Sequence, residues 1–232
     1  MSRNLPAPRQ PTRAERRADA LVHLSGITAA LIAAPALVIA AITLGAGAGA
    51  VAAAAVYGLT LVAMVVASAL YHMIPRAEWK RLLLRLDHAA IHFKIAGTYT
   101  PLSVLSGGHG GGLVAALWGA ALAGSGLRFL VPRLPRWFGL AIYLGMGWAG
   151  VLAGSALLAE LEPAVAGLVL AGGILYTVGV VFFMAERLPY HTAIWHGCVL
   201  VASALFFTAI ALQLGDAQTM MPASATVPPT KA

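Results

Sequence analysis

Seven apolar stretches, each long enough to cross a bilayer, constrain the fold of this chain more than any other feature. A membrane-spanning helix needs roughly 20 apolar residues, and charged or turn-forming residues separate the stretches. We place the predicted spans at Ala20–Leu44, Val51–His72, Asp87–Leu105, Gly112–Leu130, Trp137–Ala159, Ala164–Met184 and His191–Leu214. The pattern predicts an all-α membrane protein, a bundle of seven transmembrane helices.

Composition excludes a soluble domain of the ordinary kind. The 232 residues are 60% hydrophobic and only 10% charged, whereas soluble domains carry about 25% charged residues. The net charge of +7 lies in short clusters between apolar stretches. No basic patch with interleaved aromatic residues is present, so we expect no nucleic-acid partner.

The basic residues fall in alternate loops. The basic loops and flanks carry Arg3, Arg9, Arg13, Arg16 and Arg17, then Arg76, Lys80, Arg81 and Arg85, then Arg128, Arg133 and Arg136, then Arg187. The intervening loops, at 45–50, 106–111 and 160–163, contain neither Lys nor Arg. Because cytoplasmic loops carry the excess of basic residues, this alternation predicts a cytoplasmic N-terminus and a periplasmic C-terminus.

The two ends of the chain differ from its apolar body. Residues 1–14 contain three prolines and three arginines but no apolar stretch, and we expect a disordered cytoplasmic arm there. Residues 216–232 are rich in Pro, Ala, Ser and Thr and lack a hydrophobic period, which predicts a disordered tail. The transmembrane domain is therefore expected over residues 15–215.

Polar side chains that can bind metals occur at the ends of spans that meet the cytoplasmic face. Such residues are costly inside a membrane and mark a functional site by default. Ser68 and His72 are four residues apart at the end of span two, so they share one helix face. Alternatively, His72 lies at the level of the lipid headgroups and Ser68 bonds its own helix backbone.

Two further groups of acidic residues permit more than one role. Asp87 opens span three, where it is a helix cap, a site residue or both. Glu15, Asp19 and His23 follow one another at steps of four residues into span one. That stripe suits a general base or supporting residues beside a metal, and it equally suits acids that complement a helix dipole. Lys94, seven residues after Asp87 on nearly the same face, is expected to pair with that carboxylate.

Two histidines begin span seven at an unusual spacing. Neutral imidazoles near a helix start are typical zinc ligands. However, five residues separate His191 from His196, which is a rotation of about 140° along a regular helix. The two rings therefore face one ion only if the helix begins irregularly near Pro189. Of the remaining histidines, His109 lies on the opposite side.

The chain resembles bacterial members of the hemolysin III family, which belongs with the progestin and adipoQ receptors and is distantly similar to alkaline ceramidases. The resemblance covers nearly the whole chain. Its motifs are Glu15-x3-Asp19-x3-His23, Ser68-x3-His72, Leu86-Asp87-His88, the run Ile95–Pro101, and Ala193-Ile-Trp-His196. Two positions depart from the family pattern, which usually has asparagine where Asp19 stands and histidine where Thr192 stands.

The resemblance implies a zinc ion near the cytoplasmic face of a seven-helix bundle in the bacterial inner membrane. It assigns His72, His191 and His196 as zinc ligands, with Asp87 and Ser68 close by. Asp87, or the pair of Glu15 and Asp19, is then the candidate for accepting a proton from water. One implied function is a zinc-dependent hydrolase of a lipid amide, with an N-acyl sphingoid-like membrane lipid as substrate.

The alternative is a non-enzymatic protein. It would hold a structural zinc and serve lipid or membrane-energetics homeostasis, sensing, or pore formation in cytolysis. Spans four to six offer few polar residues, which argues against a broad permanent pore. No protein partner is indicated by the sequence.

Overall fold

A computed structural model describes residues 10–131, 135–152 and 155–219. Within these residues the regular secondary structure is entirely helical. The eight helices are α1 (Arg13–Thr43), α2 (Ala48–Met73), α3 (Ala77–Leu105), α4 (Gly111–Leu130), α5 (Arg136–Leu152), α6 (Ser155–Ala159), α7 (Pro163–Met184) and α8 (His191–Thr219). The predicted all-α class is confirmed.

Five helices in the described part of the chain are long and apolar enough to cross a membrane, namely α1, α2, α4, α7 and α8. Helix α3 does not meet that criterion, and it carries ionisable residues from Glu78 to Lys94. The predicted span Trp137–Ala159 is represented by α5 and the short α6, and residues 153 and 154 lie outside the described residues. The count of seven spans and the orientation therefore stay predictions.

Helix α3 contacts helices on several sides of the bundle. It packs against α2, α4, α5 and α8, while α1 packs against both α2 and α8, and α7 lies along α8. This arrangement brings the ends of α1, α2, α3 and α8 together, although they are far apart in sequence. Asp87, His92 and Lys94 of α3 are consequently buried, whereas Glu78 and Arg81 near its start are exposed.

Small residues allow the helices to approach closely. A Cβ atom added at Gly97 of α3 would lie 2.2 Å from the Thr60 hydroxyl of α2, and one added at Gly58 would lie 2.9 Å from Cβ of Ala34 in α1. Association of helices in lipid depends on such close packing because burial from water contributes little there. The glycines thus fix the spacing of α1, α2 and α3.

The interior and exterior are both apolar. Tyr57, Leu37 and Leu102 are among the largest fully buried side chains. On the outside, Leu59 is 72% exposed and Leu130 is 81% exposed. A soluble monomer rarely exposes large contiguous apolar patches, so this surface is suited to lipid contact.

The boundaries of the helices differ slightly from the predicted ends of the domain. Helix α1 begins at Arg13, within the segment assigned to the arm, and Thr12 caps it in a reciprocal pair with Glu15. Helix α8 continues through Asp216 to Thr219, into the segment assigned to the tail. The rest of both predicted extensions lies outside the described residues, apart from residues 10–12.

Candidate metal centre

Four side chains from three helices converge at one end of the bundle. Asp19 and His23 come from α1, His72 from α2 and His196 from α8, and one potential ligand atom of each lies within 4.8 Å of the others. His23 and His196 are buried, while Asp19 and His72 are partly buried. This cluster of four residues is the candidate metal centre.

The Asp19 carboxylate connects the three histidines. Its Oδ1 atom lies 2.7 Å from Nδ1 of His196, and its Oδ2 atom lies 3.3 Å from Nδ1 of His72 and 3.6 Å from Nε2 of His23. The imidazole rings also face one another, with centroids 4.3 Å apart for His23 and His196 and 4.5 Å apart for His72 and His196. Neutral imidazoles grouped around one carboxylate form a set of donors suited to a divalent cation.

Local helix geometry explains how α1 contributes two members. Residues four apart lie on one helix face, so Glu15, Asp19 and His23 point into the bundle together. Glu15 is buried, and its Oε1 atom accepts a hydrogen bond of 2.9 Å from the backbone N–H of Tyr190. Tyr190 has a positive φ of 61° immediately before α8. The contact therefore fixes the start of α8 against the start of α1.

Ser68 and Asp87 lie beside the cluster without belonging to it. The Ser68 hydroxyl is 3.4 Å from Nε2 of His196. Asp87 is buried and lines the same cavity as Ser68, His72 and His23. Both residues line the cavity that the three histidines of the centre also line.

His191 lies outside the group of four. Helix α8 begins regularly at this residue, since the Ile194 N–H bonds the Tyr190 carbonyl at 2.9 Å. The rotation of about 140° between the two α8 histidines is therefore retained. The Nε2 atom of His191 is 3.4 Å from the Thr192 hydroxyl, and its buried Nδ1 has no hydrogen-bond partner among the described residues.

The sequence did not single out His23 as a ligand. The pattern of residues indicates a general base or supporting residues beside a metal, or acids that complement the dipole of α1. The signal was the spacing of four residues, which places both side chains on the buried face of α1. Sequence alone could not reveal that this face meets His72 and His196.

A cavity of about 640 Å³ opens beside the centre. Its walls include His23, His72, His196, Ser68, Asp87 and His191. A volume of this size is within the range of small-molecule sites. The cavity therefore joins the metal-binding side chains, the separate carboxylate and the remaining α8 histidine in one space.

The expected pairing of Asp87 with Lys94 does not form. The Lys94 ammonium donates to the Thr98 hydroxyl at 2.8 Å and lies 4.4 Å from the centre of the Tyr57 ring. Seven residues correspond to about 10 Å along the helix, and the lysine side chain instead reaches the next turn.

On the opposite side of the bundle, His109 contacts the Ser106 carbonyl at 2.7 Å.

The chemistry of the cluster fits a divalent metal. Imidazole and carboxylate are ordinary zinc ligands, and buried histidine nitrogens are expected to have partners. Nε2 of His23 is buried and makes no hydrogen bond to any described residue. Coordination would satisfy this atom. The donor set alone does not select zinc over other first-row metals.

Comparison with known proteins gives a consistent result. The family model described as "Haemolysin-III related" matches residues 14–207. The chain is 40% identical to hemolysin-3 of Bacillus cereus over 198 residues, which is 83% of this chain and 89% of the relative. It is 35% identical to a hemolysin-3 homolog of Bacillus subtilis (strain 168) over 195 residues, which is 83% of this chain and 91% of the relative.

A more distant relative comes from animals. The human monocyte to macrophage differentiation factor is 30% identical over 171 residues, which is 67% of each chain. The matched region of the family model includes all four residues of the candidate metal centre, together with Ser68, Asp87 and His191.

Proposed function

The chain belongs to the haemolysin III-related family, and from that premise we propose that it is a zinc-dependent hydrolase of lipid amides in the bacterial inner membrane. In this proposal seven spans cross the bilayer, and the candidate metal centre lies near the cytoplasmic face. The substrate class is a membrane lipid with an amide bond, such as an N-acyl sphingoid-like lipid.

One observation carries the proposal. Asp87 and Ser68 lie in the same cavity as the histidines but outside the group of ligands. A structural metal site needs only its ligands and their supporting hydrogen bonds, whereas a hydrolytic site also needs a proton acceptor and room for substrate. The cavity of about 640 Å³ provides that room.

Each residue has a role in this chemistry. Asp19, His23, His72 and His196 would hold the metal, which when bound supplies Lewis-acid polarisation and makes water more acidic. Hydrolysis forms a C–O bond from water to the acyl carbon and breaks the C–N bond. Asp87 accepts the proton of the attacking water and returns it to the leaving amine. Ser68 would orient His196, whose Nε2 atom its hydroxyl contacts at 3.4 Å.

We assign Asp19 to the metal rather than to proton transfer. Its two oxygens face different histidines, at 2.7 Å and 3.3 Å, so neither is directed away from the cluster toward the cavity. His191, which the family resemblance implies as a ligand, lines the cavity and is proposed to contact the substrate.

A second function is favoured by the number of donors. Four protein ligands complete a tetrahedral zinc shell, which is characteristic of structural sites, whereas catalytic zinc keeps an open position. In that case the protein is non-enzymatic and the metal ties α1, α2 and α8 together. Its role would then be lipid or membrane-energetics homeostasis, sensing or cytolysis.

Metal content and lipid-amide hydrolysis, measured on the same detergent-purified protein, test the proposal. We expect one zinc per chain and release of fatty acid from an N-acyl sphingoid lipid. Asp87→Asn should retain zinc and lower the rate at least about 100-fold, the usual scale for a lost general base. His72→Ala should lose both zinc and activity.

His109→Ala is the matched control because His109 lies far from the centre in a loop after α3. It should retain full zinc and activity. Stoichiometric zinc together with no hydrolysis of any lipid amide in a broad panel would favour the structural alternative. Full zinc in His72→Ala would remove the proposed site.

A further inference from the structure

Three arginines line the same cavity as the candidate metal centre. Arg81 and Arg85 come from α3 and Arg128 comes from α4. Arg81 and Arg85 are four residues apart and share one face of α3. Of the basic residues whose side chains the structure describes, these are the three that line this cavity. Their placement inside it distinguishes them from the other positive charges on this side of the bundle.

Neighbouring residues position two of the three guanidinium groups without neutralising them. Arg128 donates to Nδ1 of His88, and Arg85 lies 5.9 Å from the centre of the Phe129 ring. Within the described residues, the ion pairs at this end of the bundle join Asp19 to histidines, and none involves these arginines. Their charges are therefore available to a ligand.

The charge balance of the cavity favours an anion. Asp87 and Glu186 are the acidic side chains among the described lining residues, against three arginines. A divalent cation bound beside Asp19 would increase the positive excess. A positively charged cleft with apolar walls concentrates anions, and the planar guanidinium group binds phosphate or carboxylate through paired hydrogen bonds.

We propose that the cavity binds an amphiphile with an anionic headgroup, which Arg81, Arg85 and Arg128 contact while its apolar part extends past the metal centre. This inference rests on the proposed function and specifies its substrate class as an anionic, phosphate-type or carboxylate-type, lipid. Arg85 and Arg81 precede Asp87 by two and six residues, or about 3 and 9 Å along α3. The headgroup is thus held within one to two turns of the reacting bond.

Binding of defined lipids to the zinc-loaded, full-length protein in a neutral detergent tests the inference. The probes are lysophosphatidic acid and monoacylglycerol with the same acyl chain, which differ only in the phosphate. We expect wild type to prefer the phosphate lipid at least tenfold. We expect each single variant to lower the affinity for lysophosphatidic acid by about tenfold and to leave monoacylglycerol binding unchanged. The variants are Arg81→Gln, Arg85→Gln and Arg128→Gln.

The control removes the same charge elsewhere. Arg13, Arg16 and Arg17 are exposed on the first turns of α1 and do not line the cavity. The triple change R13Q/R16Q/R17Q should retain the preference, whereas R81Q/R85Q/R128Q should abolish it and retain zinc. Equal binding of the two lipids by wild type, or equal losses in both triple variants, would overturn the inference.

Competition separates the two sources of an anionic group. Inorganic phosphate at millimolar concentration should displace lysophosphatidic acid only weakly if the ligand is a lipid headgroup. Efficient displacement would identify free phosphate as the ligand and overturn the lipid assignment. Failure of the proposed function looks different, because a non-enzymatic protein would retain the arginine-dependent preference without hydrolysing any lipid amide.

Discussion

Asp19 connects the histidines of the candidate metal centre because its two carboxylate oxygens face different helices. One oxygen contacts His196 of α8 and the other contacts His72 of α2. A single side chain therefore bridges the two α-helices that α1 packs against. Replacing Asp19 would remove the negative charge that lies between the histidines, and it would also remove one potential metal-binding group. The residue therefore matters to the packing of the helices and to the candidate metal centre.

Replacing His23 or His191 with alanine should distinguish a metal ligand from a residue that only lines the cavity. We expect His23→Ala to weaken zinc binding by more than about 100-fold, because loss of even an outer-shell partner costs 10–100-fold. His191→Ala should lower the affinity for zinc by less than about threefold, since His191 lies outside the group of four. Competition with a chromogenic chelator measures both affinities. The reverse order would restore His191 as a ligand in place of His23.

Lys94 is a second residue whose environment yields a prediction. Its side chain is 2% exposed and relies on Thr98 and the Tyr57 ring. Thr98→Val should destabilise the protein by about 1 kcal/mol, because it removes a hydrogen bond from a buried amine. Lys94→Met should be neutral or stabilising, since apolar groups often replace buried charges at no cost.

Thermal unfolding in detergent, followed by circular dichroism, provides the measurement. In the double variant the Thr98→Val penalty should disappear, because no amine remains to be satisfied. A large loss of stability in Lys94→Met alone would instead indicate that the ammonium has an energetic role beyond these two contacts.

At the scale of elements, α3 combines two tasks that usually conflict. Its N-terminal half carries Arg81, Arg85 and Asp87, which line the cavity, while its C-terminal half packs tightly against α2 at Gly97. A helix with this many ionisable groups is stable within an apolar bundle only because other helices cover it. Helix α3 is long enough to cross a membrane but is less apolar than α1, α2, α4, α7 and α8. Its cover by other helices explains why many of its residues are nevertheless buried.

The contact between α3 and α2 can be tested by adding one methyl group. Gly97→Ala should destabilise the protein by about 1–3 kcal/mol, because the new Cβ would overlap the Thr60 side chain. Gly119→Ala is the control, since a Cβ at that helical position meets nothing within 4 Å. It should stabilise α4 slightly through the higher helix propensity of alanine.

Unfolding midpoints of the two variants should therefore shift in opposite directions. Adding Thr60→Ala to Gly97→Ala should recover part of the loss, because it removes the hydroxyl and methyl groups nearest to the new Cβ. Equal stability of Gly97→Ala and wild type would show that α2 and α3 are less closely packed than the approach of Thr60 to Gly97 indicates.

At the scale of the whole molecule, the metal centre and the arginines occupy the same end of the bundle. The basic loops of the sequence belong to that end, which the positive-inside bias places in the cytoplasm. A substrate lipid would then enter from the cytoplasmic leaflet. The seven-span orientation and the proposed substrate class consequently depend on each other.

Reporter fusions provide the test of orientation. A periplasm-active enzyme fused after Ala232 should be active, and the same enzyme inserted beside Lys80 should be inactive. A cytoplasm-active reporter should give the opposite pattern. If the reporters at both sites behave as cytoplasmic, the chain crosses the membrane an even number of times after Lys80, and the seven-span arrangement, which requires five crossings there, is wrong.

Apolar length and composition alone determined that this chain forms a helical membrane protein. Those properties are local, and the free energy of transferring apolar residues into lipid acts on each segment separately. The motifs also fixed the family, which the comparisons confirm, and the spacing of four residues placed Asp19 with His23 and Ser68 with His72 on common faces.

Only the tertiary structure decided which of these faces meet. It placed His23 in the cluster and left His191 outside, because α8 begins regularly and its rotation directs His196 inward. In the structure Lys94 donates a hydrogen bond to Thr98 and does not pair with Asp87. Arg128 of α4 lines the same cavity as Arg81 and Arg85 of α3. These contacts join residues far apart in sequence, and their geometry depends on how helices rotate and approach, which no local pattern of residues encodes.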